Sequence, residues 1–326
     1  MEKIKFLSFL IVQLFLVMEV VNSQGVEVGF YKKICPNVEA IVKEITVNYI
    51  SSAPTLTAPL LRMHFHDCFV RGYDGSVLLN STNGNQAEKY AIPNQSLRGF
   101  QVIDAAKSAL EKECPDVVSC SDILALAARD AFSLVNGPSW QAPLGRGDGR
   151  VSILSEALKN PPTPFDNFTT LKTIFGALGL NVKDLVLWAI RHTIGMSHCF
   201  SFPSRLYNFT GKGNMDPNMD QNYINRLKIK SKPNDVTTIV EMDPGSFKSF
   251  DTDYYTMVAK RRGLFGSDAA LLTNSQAKDY VLWLSQSKPH GSTFFKDFGE
   301  SMVKMGKIGV LTGKAGEIRK HCAFRN

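Results

Sequence analysis

The chain has 326 residues, 44% of them hydrophobic and 21% charged, with a formal net charge of +7. That size and balance exclude a disordered chain and supply enough apolar material for a sizeable core in one or two closely joined lobes. The lysines and arginines are scattered, with no zinc-finger or aromatic RNA-binding pattern. Nucleic acid is therefore excluded as a partner, and the positive charge points to anionic polymers such as a cell-wall matrix.

The first element in chain order is a leader. Lys3 and Lys5 precede the apolar run FLSFLIVQLFLVMEVV and small residues follow it, which is the order of a secretory signal peptide over residues 1–23. Gln13 and Glu19 make the run a poor membrane span, and no later stretch has the length of one. The mature chain, residues 24–326, is thus expected to be exported and free of the membrane. Cleavage leaves the charge unchanged, because Glu2 and Glu19 offset Lys3 and Lys5. Sequons at Asn80, Asn167 and Asn208 suit that route as glycan acceptors. The six cysteines include no CxxC pair, which disfavours a zinc ribbon; in an oxidising compartment they suggest disulfides, though spacing alone does not choose the pairing.

Apolar residues recur three and four apart in NVEAIVKEITVNYI, QVIDAAKSALEKE, SCSDILALAARDAFSLV, TTLKTIFGALGL, VKDLVLWAIR and GSTFFKDFGESMVKM, so each is predicted as a helix. Ser119 is placed to start one of these, and Gly137 and Gly179 to close others. The connections NGPSWQAPLGRGDGR, KNPPTPFDN and NFTGKGNMDPNMDQN are long and rich in Gly, Pro and Asn. Strand signals are weak and short. The predicted class is all-α, with little or no β and no internal repeat.

Several polar residues stand out against this helical background. In PLLRMHFHDC, Arg62 and His66 fall four apart on one helical face with Phe65 beside them, so a base and a permanent cation share one space. Asp67, Gly72, Asp74 and Ser76 follow at short spacing and offer hard oxygen donors of the kind Ca²⁺ requires; a solvated acidic turn is the alternative. Downstream, His192 ends an apolar helix beside Thr193 and Gly195. Asp268, bounded by apolar residues in RRGLFGSDAALL, is an odd surface carboxylate and a candidate acceptor for an imidazole proton. Asp243, Ser246 and Asp251 could join Thr193 in a second oxygen-rich site.

Taken together, RMHFHDCFVRGYDGSVLL, EKYAIPNQSLRGF, VVSCSDILALAARDA, RHTIGMSHC and RKHCAFRN resemble a secreted plant-type haem peroxidase of class III, in family order from about Gln24 to the last residue. The resemblance implies a monomeric two-lobed fold with haem b between distal and proximal lobes, two Ca²⁺ ions, hydrogen peroxide as oxidant and small phenolic or aromatic reductants. It implies His66 as distal acid-base, Arg62 as its electrostatic partner and Asn94 as the group that sets the His66 tautomer, so that the Asn94 sequon is accidental. Phe65 would lie against the haem, His192 would bind the iron with Asp268 behind it, and Pro162 would sit at the exposed haem edge. One calcium would take Asp67, Val70, Gly72, Asp74 and Ser76, with Glu88 through water; the other would take Thr193, Asp243, Ser246 and Asp251. Bridges are implied for Cys35 with Cys114 and Cys120 with Cys322. The implied place is the cell wall, with the vacuole as the lesser alternative.

The chain departs from that pattern in three places. Tyr73 and Ser231 stand where the family has cysteines, which leaves Cys68 and Cys199 unpaired and predicts a fragile distal loop. The run WAIR before His192 replaces small residues, so Ile190 and Arg191 are both expected to crowd the porphyrin. Gly147 replaces a usual Arg.

Overall fold

The computed structural model describes residues 25–286 and 292–326; the expected leader, residues 1–23, lies outside them. The described chain is all-α. Helices α1 (Val38–Ser52), α2 (Thr57–Arg71), α3 (Phe100–Glu113) and α4 (Cys120–Ser133) pack together as one half. Short α5 (Leu154–Lys159) leads to α6 (Phe168–Ala177) and α7 (Val182–Ala189), then α8 (Pro203–Tyr207), α9 (Gln221–Lys230), α10 (Asp253–Ala259), α11 (Gly266–Ala270), α12 (Ser275–Gln286) and α13 (Ser292–Met305). Strands among the described residues form two antiparallel pairs, β1 (Glu27–Val28) with β2 (Pro143–Leu144) and β3 (Met196–His198) with β4 (Ile239–Glu241). No single helix among the described residues is long and apolar enough to cross a membrane.

Helix α4 starts where Ser119 accepts a hydrogen bond from the Asp122 amide at 3.1 Å, a cap worth about 1 kcal/mol. It is buried all round from Cys120 to Phe132, as expected of a helix through the middle of a core. Helix α2 is enclosed in the same way and separates two apolar clusters. Leu60 and Met63 join Val42, Val102, Ile103 and Leu124 on one side. Leu61, Phe65 and Phe69 join Trp188, Tyr254 and Phe298 on the other. With both sides covered, His64, His66 and Asp67 have no solvent-facing surface to use.

Helix α7 is capped reciprocally: Asn181 Oδ1 accepts from the Asp184 amide at 3.0 Å and Asp184 Oδ2 from the Asn181 amide at 2.9 Å. The predicted helix through Arg191 is two residues too long, because Ile190–Thr193 tightens into a 3₁₀ turn. The tighter turn changes which way each side chain points. Gly195, at φ +101°, then releases the chain into β3, and its amide donates to Phe247 at 2.8 Å, drawing the 243–251 loop against Thr193.

Two glycines permit close backbone approaches. A Cβ on Gly72, at φ +81°, would lie 2.5 Å from the Gly309 Cα, and one on Gly147 would lie 2.9 Å from the Gly316 Cα. The second contact accounts for glycine at 147, since a side chain there would meet backbone.

Cys35 is bonded to Cys114 and Cys120 to Cys322, while Cys68 and Cys199 are free and buried. Cys199 Sγ is in direct contact with Ser231 Oγ, 32 residues away. Ser231→Cys should therefore close a third bridge without moving the backbone. Loop entropy puts its value at about 3–4 kcal/mol, or roughly 5–10 °C in Tm. Thiol counting and melting with and without reductant check it; an unchanged melt in a variant shown to be bridged rejects it.

Candidate active site

Helix α2 places Arg62 and His66 on one face, and the loop after it returns Asn94 beneath the imidazole. His66 Nδ1 lies 2.5 Å from Asn94 Oδ1, and the Asn94 amide donates to the Glu88 carbonyl at 2.9 Å. An amide oxygen only accepts, so His66 carries its proton on Nδ1 and has Nε2 as an acceptor. Arg62 Nε donates to that nitrogen at 3.3 Å, while its terminal nitrogens are held by Ser96 Oγ at 2.7 Å and by the Pro93 carbonyl. Burial holds His66 well below the usual imidazole range, the Arg62 cation adds to this, and the Asn94 contact opposes it. Asn94 is 2% exposed with both ends of its amide engaged, so it offers no room for a glycan.

A second imidazole has the same pattern. His192 Nδ1 lies 2.9 Å from Asp268 Oδ1, which also accepts from Tyr254 Oη at 2.8 Å, and Asp268 Oδ2 accepts from the Phe265 amide at 2.9 Å. Burial pushes Asp268 up, but His192 and these donors outweigh it and hold the carboxyl below its usual range. His192 is thereby fixed with its Nε2 lone pair inward, the orientation that a metal-binding imidazole needs. Here too a guanidinium covers the nitrogen: Arg191 Nε donates to His192 Nε2 at 3.3 Å.

Residues 38–287 match the family model described as Peroxidase. The chain belongs to the plant peroxidase family. It is 62% identical to Peroxidase 27 of Arabidopsis thaliana over 94% of both chains, and 58% identical to Peroxidase 56 of the same plant over 94% of this chain and 92% of that one. It is 54% identical to Peroxidase 1 of Oryza sativa subsp. japonica, again over 94% of both. Haem and calcium belong to this family in general.

In this peroxidase the acidic residues after α2 are gathered into a buried group. Asp67 accepts from the amides of Gly75 at 3.0 Å and Val77 at 3.4 Å, and Asp74 from that of Ser76 at 2.9 Å. Both carboxylate oxygens of Glu88 and the hydroxyl of Ser76 are buried without a hydrogen-bond partner. Burial and the neighbouring carboxylates push Asp67 up, and burial with Asp74 pushes Glu88 up to about 8. The Val70 carbonyl accepts from Asn160 at 3.2 Å and the Gly72 carbonyl from the Asp74 amide at 2.8 Å. Orphaned oxygens and crowded carboxylates are what a bound cation would relieve. Among the described residues no three His, Cys, Asp or Glu side chains converge as a metal set, so hydroxyls, carbonyls and water would have to complete the shell.

The other acidic group lies next to the second imidazole. Thr193 Oγ1 donates to Asp243 Oδ2 at 3.1 Å and is 3.3 Å from Asp251 Oδ1, while Ser246 Oγ donates to Asp251 Oδ2. Burial first, and then Asp251, raise Asp243 to about 7. All four residues named from the sequence come together, and one of them, Thr193, follows His192 in the chain.

The haem position is less simple. The donor atoms suit it: an inward Nε2 on His192, backed by Asp268, with His66 and Arg62 on the other half. The space is filled. The Arg191 guanidinium carbon sits 3.7 Å from the Phe65 ring centroid, and Trp188 packs 5.5 Å from the same ring with its indole N–H on Ser301. On the His192 side lies a cavity of ≈ 30 Å³, lined by Pro162, Trp188, Arg191, His192 and Asp268 among others and by none of Arg62, Phe65 or His66. Arg191 reaches from His192 to Phe65, so a porphyrin between the two imidazoles requires this side chain to move. Of the two residues expected to crowd the porphyrin, Arg191 lies against His192 and Phe65, and Ile190 is fully buried in the cluster that also holds Phe65 and Trp188.

Sequence reasoning missed Ser96 and Pro93, which hold Arg62, Tyr254, which shares Asp268, and Trp188 as a wall of the slot. Tyr254 lies within the EMDPGSFKSFDTDYY segment, but nothing in its spacing distinguishes it from Tyr255, whose hydroxyl goes to the Val186 carbonyl.

Proposed function

We propose that the chain is an exported, monomeric peroxidase that binds haem b and two Ca²⁺ ions, reduces hydrogen peroxide and oxidises phenolic or similar small aromatic donors one electron at a time. Each peroxide takes two electrons and two protons and leaves as two waters; two donors each lose one electron and one proton. Haem would supply the redox chemistry, held by His192 with Asp268 behind it. His66, neutral and with an unprotonated Nε2, takes a proton from peroxide and returns it to the departing oxygen. Arg62 stabilises the charge that develops as the O–O bond opens. Pro162, on the wall of the residual cavity, marks the edge where donors dock. The leader and the two disulfides support export, and the net charge of +7 supports retention on anionic wall polymers.

The observation that carries this reading is the repeated imidazole pattern: two histidines, each with Nδ1 tied to a side-chain oxygen and an unprotonated Nε2 that accepts from a guanidinium at 3.3 Å. One observation favours a second reading, a catalytically impaired member of the fold kept as a haem- or calcium-binding wall protein: Arg191 lies on His192 Nε2. Guaiacol oxidation by the hemin-loaded, calcium-replete chain separates them. Turnover at least about a hundredfold above free hemin is expected for a positioned acid-base; turnover equal to free hemin leaves the impaired reading.

A further inference from the structure

We propose that Arg191 is an internal competitor for the porphyrin, so that the haem-free chain is a closed, self-filled fold and cofactor uptake requires this side chain to swing out. The inference rests on the haem reading above and concerns a residue that the reaction itself does not use.

Three observations support it. Arg191 Nε donates at 3.3 Å to His192 Nε2, the one imidazole nitrogen that Asp268 leaves free for a metal. The same guanidinium sits over the Phe65 ring, its carbon 3.7 Å from the centroid, joining the two halves across the slot that would separate them. The cavity beside Arg191 and His192 is small, ≈ 30 Å³. A cation stacked on an aromatic face and donating to a neutral acceptor has both of its modes of interaction satisfied, so the closed state is a defined arrangement and not a collapsed one. The exit is also visible: Pro162 and exposed Thr163 line the residual cavity beside Arg191, and a long basic side chain can carry its head outward while its stem stays buried. A ligand that binds only the open state has its affinity reduced by the open fraction. With one cation–π contact and one charge-assisted hydrogen bond to break, that reduction is about a hundredfold.

Hemin titration of the calcium-replete chain, followed at the Soret band, tests this against Arg191→Ala, with Arg191→Gln keeping a shorter polar side chain without the charge. Arg191→Ala is expected to bind hemin about a hundredfold more tightly, with Arg191→Gln in between. In the parent, the uptake rate should level off as hemin rises, because opening limits it; in Arg191→Ala it should stay linear. Should Arg191→Ala lose its helical circular dichroism, the parent's rate plateau and the Arg191→Gln affinity decide the matter. Equal affinities and linear uptake in parent and variants overturn the inference and leave the haem reading standing. Failure of parent and folded variants alike to bind hemin overturns both.

Discussion

Replacing His66 by alanine is expected to lower kcat/KM for hydrogen peroxide by about 10²–10⁴-fold, the range for loss of a positioned acid-base, while the melting temperature changes little. Peroxide must lose a proton before it is a good ligand, and the departing oxygen must regain one; His66 Nε2 is the unprotonated base, shared at 3.3 Å with Arg62, and its other nitrogen is committed to Asn94 at 2.5 Å. The pH profile follows from the same geometry. Burial first, and then Arg62, hold the imidazole well below its usual range, so His66 stays neutral and competent at mildly acidic pH. The acid limb of kcat/KM should fall well below pH 6.5. Asn94→Asp puts a carboxylate on Nδ1, favours the imidazolium and should move that limb upward. Stopped-flow measurement of the peroxide reaction on hemin-loaded protein checks both claims. A His66→Ala rate within threefold of the parent, or an unmoved limb in Asn94→Asp, rejects the assignment.

Much of this site was legible because burial leaves a mark on sequence. Arg62, His66 and Asp67 interrupt an apolar run whose spacing has no wet side to spare, and α2 is indeed covered on both sides. Asp268 stood out for the same reason, a carboxylate among Leu, Phe and Ala, and it lies behind His192. What could not be read was direction. Periodicity carries α7 through Arg191, yet the helix tightens at Ile190, and beyond that point Arg191 lies against His192 and Phe65. Adjacent residues in a run look alike until the turn type is known. Partners supplied by loops were equally hidden: Ser96 and the Pro93 carbonyl hold Arg62 only because the 92–97 segment folds back over α2.

Calcium removal is expected to lower the melting temperature by roughly 10 °C at pH 8 and by far less at pH 5. If the two proposed sites are each held at a hundredfold excess over Kd, they contribute about 5 kcal/mol by mass action, and each kcal/mol is worth roughly 2 °C or more in a chain of this size. The pH dependence comes from the acidic groups themselves. Without a cation, burial pushes Glu88 from 4.5 up to about 8 and Asp243 from 3.8 up to about 7, with neighbouring carboxylates adding to both. A carboxyl raised on folding holds a proton that the unfolded chain releases, so its stability is full below the unfolded value and is lost as pH rises through the folded one. The metal-free chain therefore weakens between about pH 4 and 8, and Ca²⁺ replaces the missing protons most effectively at the top of that window. Thr193 ties the second site to the haem side, because it donates to Asp243 one residue after His192; chelation should also weaken hemin retention. Differential scanning of chelated and calcium-replete protein at the two pH values provides the test. A larger calcium effect at pH 5 than at pH 8 would mean that these carboxylates do not hold the ion.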